Sequence, residues 1–150
     1  MFFQILGSFL AVVAFGFLLG SPRKYIPYAG IIGALGWAAF LILRQRGLTI
    51  GPATFLSGCL ISFCAQILAR VLKTPVTIFV ITGILPLVPG AGMYHIAASV
   101  IQADPAMTSY YVLQTLTIAG MIAISIVVVD SLFRLLPRHR KTDVPDKPCS

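Results

Sequence analysis

The sequence predicts an all-α integral membrane protein of about five transmembrane helices, the fourth of them broken at a Pro/Gly motif. Three observations predict it. Of the 150 residues, 58% are hydrophobic and only 10% charged, against roughly 25% charged in a soluble domain. Mean hydropathy is +0.96. The basic residues fall between apolar runs: Arg23 with Lys24, Arg44 with Arg46, Arg70 with Lys73, then Arg134, Arg138, Arg140 and Lys141. That spacing fits loops and membrane interfaces, where cations anchor to headgroups and set orientation. It does not fit a nucleic-acid face, because no segment interleaves the cations with aromatics on a soluble surface.

A spanning helix needs about 20 mostly apolar residues, and five stretches within a membrane domain at residues 1–136 qualify. The first, 1–20, is uncharged and is followed rather than preceded by cations, so it reads as a retained span and not as a signal peptide. The second, 25–43, carries Gly30, Gly33 and Gly36 on a small-residue face. Gly16 and Gly20 offer a similar pattern on the first, and both permit close approach of other helices, including those of another subunit. The third, 50–69, holds Cys59 and Cys64, which behave as small hydrophobes, together with Gln66. The fourth, 75–101, lies in a run without Asp, Glu, Lys or Arg (residues 74–103). The fifth, 109–136, contains Gln114, Thr115 and Thr117, and Asp130 near its end. Residues 137–150 are polar and Pro-rich and read as a basic, disordered cytoplasmic tail.

The fourth stretch is too long for one straight crossing. Thirty helical residues would extend ~45 Å against a hydrocarbon core of about 30 Å. Its middle reads Leu85, Pro86, Leu87, Val88, Pro89, Gly90, Ala91, Gly92, Met93, Tyr94. The two prolines remove amide donors and the two glycines loosen the chain between them. Two half-helices joined by this break fit one crossing; a re-entrant hairpin is the competing reading. With five crossings, Arg23, Lys24, Arg70, Lys73 and the C-terminal cations fall on one side. Arg44, Arg46 and Asp104 fall on the other. The positive-inside bias then places the N-terminus outside and the C-terminus in the cytoplasm of a cell (inner) membrane.

Broken backbone at membrane depth is tolerated only where it is buried in protein or lines a cavity, so the break is the candidate substrate site. The half-helix that follows starts near Ala91. Its first amides have no intrahelical partner and sit at the positive end of the helix dipole. A carboxylate against Pro89, Gly90, Ala91 and Gly92 would meet both needs, as anionic groups do at half-helix N-termini of transporters. The alternative is a plain proline kink whose freed groups are met by neighbouring helices. Tyr94 and His95 lie on the first turn. Tyr94 could donate to a substrate and His95 could bind or carry a proton, or both could be packing residues. Gln66, Gln114, Thr115 and Thr117 could line a polar path or make interhelical hydrogen bonds worth about 1 kcal/mol. Asp130 could couple transport to protons, but it stands four residues before Arg134, a good helical ion-pair spacing, and the interfacial pair is the favoured reading. No GxSxG, HExxH, P-loop or paired carboxylates occur. The three cysteines make no ligand spacing. No enzyme, catalytic residue, metal or cofactor is expected.

The segment from Ile84 to Ser99 resembles the Pro-x-x-Pro-Gly-x-x-x-Tyr segment of the threonine/serine exporter family, and more narrowly the small separate subunit corresponding to that exporter's C-terminal membrane half. A Gly-Leu-containing loop before the third span and a basic tail after the last extend the resemblance over residues 25–141. The resemblance implies a five-helix module of a secondary exporter of small carboxylate-bearing solutes, either threonine and serine or succinate-like dicarboxylates. It implies a larger membrane partner carrying the complementary five-helix half. The motif falls on Pro86, Pro89, Gly90 and Tyr94. A homo-oligomer in the lipid bilayer is a further option, and an accessory subunit that stabilises a larger partner without binding solute is the rival from another class.

Overall fold

The computed structural model describes residues 2–135; the basic tail expected at 137–150 lies outside the described residues. Among the described residues there are six α-helices, one short 3-10 turn and no strand. The helices are α1 (Phe2–Leu18), α2 (Ile26–Gln45), α3 (Ile50–Leu72), α4 (Thr77–Ile84), α5 (Gly90–Ile101) and α6 (Pro105–Leu135), with the 3-10 turn Leu85–Leu87 after α4.

Local chemistry sets the ends. α1 stops at Gly20, whose φ of +66° is the left-handed conformation that glycine adopts freely. α2 begins with a proline in its first turn, where the missing amide costs nothing. α6 starts at Pro105 rather than near 109, because Asp104 caps it: one carboxylate oxygen accepts from the amides of Ala106 and Met107, each at 3.1 Å. α3 continues to Leu72, three residues past its expected end, and closes on Lys73 in the left-handed region.

α2, α3 and α6 are each long and apolar enough to cross a membrane, and α4 with α5 would make a fourth crossing if the bent pair is one span. α1 is apolar but has 17 residues, ~25 Å of helix against a core of about 30 Å. The membrane α-helical class is thus plain, while helix length and composition give three or four spans.

The helices alternate in direction. Gly16 meets Ile26, and Gly33 meets Val12, so α1 and α2 are antiparallel. Gly36 meets Ile61, and Trp37 and Thr54 share one cavity, so α2 and α3 are antiparallel. α3 and α6 run in the same direction: Gly51 faces Met121, Gly58 faces Ser125, and Gln66 bonds Asp130. The chain therefore returns between them, through α4 and α5. Those two are bent by 47° at their junction, far from the reversal that a re-entrant hairpin requires.

Packing is by small residues inside and large ones outside. Ala29, Ala53, Ser57, Ala65 and Ser125 are fully or nearly fully buried, whereas Leu6, Leu10, Leu35, Phe63 and Leu116 are exposed. A soluble protein shows the opposite. In lipid the tails are as apolar as leucine, so helices associate through close backbone approach rather than burial of bulk. Gly30, Gly33 and Gly36 serve this role, each with a side chain of α1 or α3 where a Cβ would go. Gly20 does not: a Cβ there meets open space, so it terminates a helix rather than packing one. The largest fully buried hydrophobic groups, Phe79, Ile61 and Val12, fill the centre, and the Tyr25 ring meets Phe79 edge-on at 5.9 Å.

Candidate functional site

The break between α4 and α5 opens onto a cavity of about 250 Å³. Pro86 ends the regular helix, and after Val88 the backbone turns sharply: the Gly90 amide donates to the Val88 carbonyl at 2.8 Å. α5 then starts with no side-chain cap. Met93 is the first residue of the new helix whose amide reaches back in the helical manner, to the Pro89 carbonyl at 3.1 Å. Ala91 and Gly92 precede it, so their amides belong to the unsatisfied first turn at the positive end of the α5 dipole.

Three walls close the cavity. Pro86, Pro89, Ala91 and Gly92 form the floor. Trp37 and Phe40 from α2, stacked with ring centroids 5.3 Å apart, form one side. His95 and Tyr111, stacked at 4.9 Å and 18°, form part of the other. Polar groups converge from the long helices. Gln114 and Thr115 reach in from α6, and Thr54 from α3. The Thr54 hydroxyl is committed, donating to the Ile50 carbonyl at 2.8 Å. The Thr115 hydroxyl is not: it is buried with no hydrogen-bond partner, and the residue is 8% exposed. It also lies against Gly92, where a Cβ would collide with it. A buried, unpaired hydroxyl costs about 1–3 kcal/mol, and beside free amides it is a group waiting for an acceptor.

Seven residues singled out in the sequence, Pro86, Pro89, Ala91, Gly92, His95, Gln114 and Thr115, therefore meet around one space. Gly90 and Tyr94 do not line it. Gly90 has open space where a Cβ would be, and Tyr94 is 71% exposed on another face of α5, its ring edge-on to His95 at 5.7 Å. Thr117 is exposed and donates to the Leu113 carbonyl at 2.8 Å, away from the cavity. Trp37, Phe40, Thr54 and Tyr111 are members that the sequence reading missed. The one available signal is Trp37, the single tryptophan of the sequence, set in an apolar run.

Gln66 and Asp130 lie elsewhere, in a cavity of about 1010 Å³ where α3 gives way to α4 and α6 ends. Gln66 Nε2 donates to Asp130 Oδ1 at 3.0 Å, and Arg134 Nε donates to Oδ2 at 2.7 Å. The expected ion pair is present. Among the described residues no group of His, Cys, Asp or Glu could hold a metal.

Comparison with known proteins gives a family. The family described as "Threonine/Serine exporter, ThrE" matches residues 4–132, which extends the likeness through α1. A protein of Haemophilus influenzae that carries the description "uncharacterized protein" is 27% identical over 100 residues. The match covers 67% of this chain and 34% of that protein, so the chain spans about a third of its relative's length. No solved structure matches.

Proposed function

Because this chain belongs to the threonine/serine exporter family, we propose that it is the small membrane subunit of a two-component secondary exporter of small carboxylate-bearing solutes. The family is one of transporters. Threonine, serine and succinate-like dicarboxylates are the solute candidates.

One observation carries the reading: the free first-turn amides of α5 and the unpaired Thr115 hydroxyl converge on the same cavity. Amides and hydroxyl are all donors, and a carboxylate is an acceptor with two oxygens. The solute carboxylate sits against Ala91 and Gly92 and takes the Thr115 proton donor. The rest of the solute lies between the Trp37–Phe40 and His95–Tyr111 walls. A volume of about 250 Å³ is below the roughly 300–1,000 Å³ of sites for drug-sized ligands, which suits a metabolite of few atoms. His95 and Gln114 are placed to hold its polar groups.

α4 and α5 act as one bent crossing, and with α1 the chain makes five. The end holding Arg23, Lys24, Arg70, Lys73 and Arg134 faces the cytoplasm by the positive-inside bias, in a cell inner membrane. A single bundle is half of the usual alternating-access device, which rocks one repeat against another around a fixed site. The complementary bundle comes from a larger partner. In the Haemophilus relative the matched segment is 34% of the chain, so there it is joined to further protein.

The test is solute efflux from cells lacking this chain and its partner, with each restored alone and then together, assayed for threonine, serine and succinate. Efflux only from the pair is expected. Efflux from this chain alone would replace the partner with a homo-oligomer. Assembly of the pair without efflux in any combination would leave the accessory role.

A further inference from the structure

The larger cavity at the end of α3 and α6 has a charge excess that the solute site does not use. Arg70, Lys73 and Arg134 line it against one carboxylate, Asp130. That carboxylate is already committed to Arg134 and Gln66. Arg70 is held in place from two sides: its Nη2 donates to the Phe133 carbonyl at 2.9 Å, and its Cζ stands 4.7 Å over the Phe133 ring. A guanidinium has five N–H donors in a rigid fork, so most remain free while the head is fixed. Lys73 makes no side-chain hydrogen bond or ion pair among the described residues. Its backbone is left-handed, with φ of 51°, a conformation that costs a residue with a Cβ roughly 1–2 kcal/mol and glycine almost nothing. A lysine at that position keeps a point charge at the cavity rim at a conformational cost. Thr74 adds a hydroxyl, itself donating to the Leu72 carbonyl at 3.1 Å.

A fixed fork plus a mobile ammonium suits an anion with several oxygens on a tetrahedral centre. The apolar surroundings continue outward: Phe63, whose ring lies 5.4 Å from that of Phe133, is exposed, and so are Ile67 and Val71 at successive turns of α3. We propose that this cavity binds a phosphate-bearing anion through Arg70 and Lys73. The headgroup of an acidic phospholipid, its chains along Phe63, Ile67 and Val71, and a free phosphate are two sources of the same chemistry. Basic pockets between helices on the cytoplasmic side hold lipid headgroups in this way.

Native mass spectrometry of the full-length protein, stripped of lipid and offered phosphatidylglycerol or phosphatidylcholine with and without inorganic phosphate, tests this. Phosphatidylglycerol should be retained in preference to phosphatidylcholine. The double substitution Arg70→Gln with Lys73→Gln should weaken retention about tenfold or more, equivalent to ~1.4 kcal/mol. Lys73→Gln alone, which removes an ammonium with no hydrogen bond or ion pair among the described residues, should weaken it about threefold with the fold intact. Arg44→Gln with Arg46→Gln makes the same charge change at the other end and should have no effect. Retention that inorganic phosphate does not displace supports the lipid source; displacement, or phosphate binding lost in the double variant, supports the free anion. Equal losses in both double variants, or no preference for phosphatidylglycerol and no phosphate binding, would overturn the proposal.

Discussion

The Thr115 hydroxyl on α6 rests against the Gly92 backbone on α5, so closely that no side chain can stand at position 92 without displacing it. This contact joins the broken crossing to the longest helix, and it leaves a buried donor with nothing to bond.

Gly92 and Gly90 should therefore behave differently although they are two residues apart. Gly92→Val drives a side chain into Thr115 and the cavity, and solute efflux should fall at least about tenfold with the protein still in the membrane. Gly90→Ala meets open space and should leave efflux within about twofold, with stability unchanged or raised by ~0.4–1 kcal/mol. Efflux assays alongside thermal unfolding in detergent check both. Equal loss from the two substitutions would mean that chain flexibility at the break, and not space beside Thr115, is what matters.

Thr115→Val keeps the shape of the side chain and removes the hydroxyl. Stability should hold or rise by about 1 kcal/mol, since an unsatisfied buried group disappears. The apparent KM for the solute should rise about tenfold, the loss of one hydrogen bond to a charged group. A variant with unchanged KM would show that the hydroxyl does not meet the solute.

Asp130 and Arg134 should contribute little to stability. The arginine side chain is 80% exposed, and ion pairs of this kind are worth about 0–1 kcal/mol. Arg134→Gln should change unfolding by no more than ~0.5 kcal/mol. Asp130→Asn keeps an acceptor for Gln66 and should retain efflux. Complete loss of efflux in Asp130→Asn, with assembly intact, would assign the carboxylate a coupling role.

Gly58, in a helix seam, and Gly120, outside one, give a contrasting pair. At Gly58 a Cβ would strike the Ser125 side chain, and Gly58→Ala should destabilise by about 1–3 kcal/mol. At Gly120 a Cβ meets nothing, and Gly120→Ala should be neutral or stabilising by up to ~1 kcal/mol. Thermal unfolding of the two variants separates seam contacts from general helix propensity.

Much of this arrangement can be read along the chain, because apolar length, cation spacing and proline act locally. α2, α3 and α6 follow from hydropathy, and the Pro86–Gly92 break follows from missing amides. Boundaries moved where a single side chain intervened: Asp104 brought the start of α6 back to Pro105, and Lys73 closed α3 late. The cavity was only partly legible. Gln114 and Gly92 announce themselves as polar or small groups in an apolar run, but Trp37 and Tyr111 reach the site from helices remote in sequence. Which face of an apolar helix turns inward is weakly encoded when both faces are apolar, so hydrophobic periodicity cannot say that Tyr94 turns away while His95 turns in.

The alternating directions of the helices have a consequence of parity. With α1 counted as a pass and α4 with α5 as one bent pass, the described chain would run from end to end an odd number of times, and Phe2 and Leu135 would finish at opposite ends of the bundle. Any similar bundle appended in tandem by a short connector must set out from the end where this one stops. It would be threaded upside down relative to the first. A protein that doubled this unit would acquire mirrored access to its two sides through counting alone, whereas an even number of passes would have made its halves face the same way.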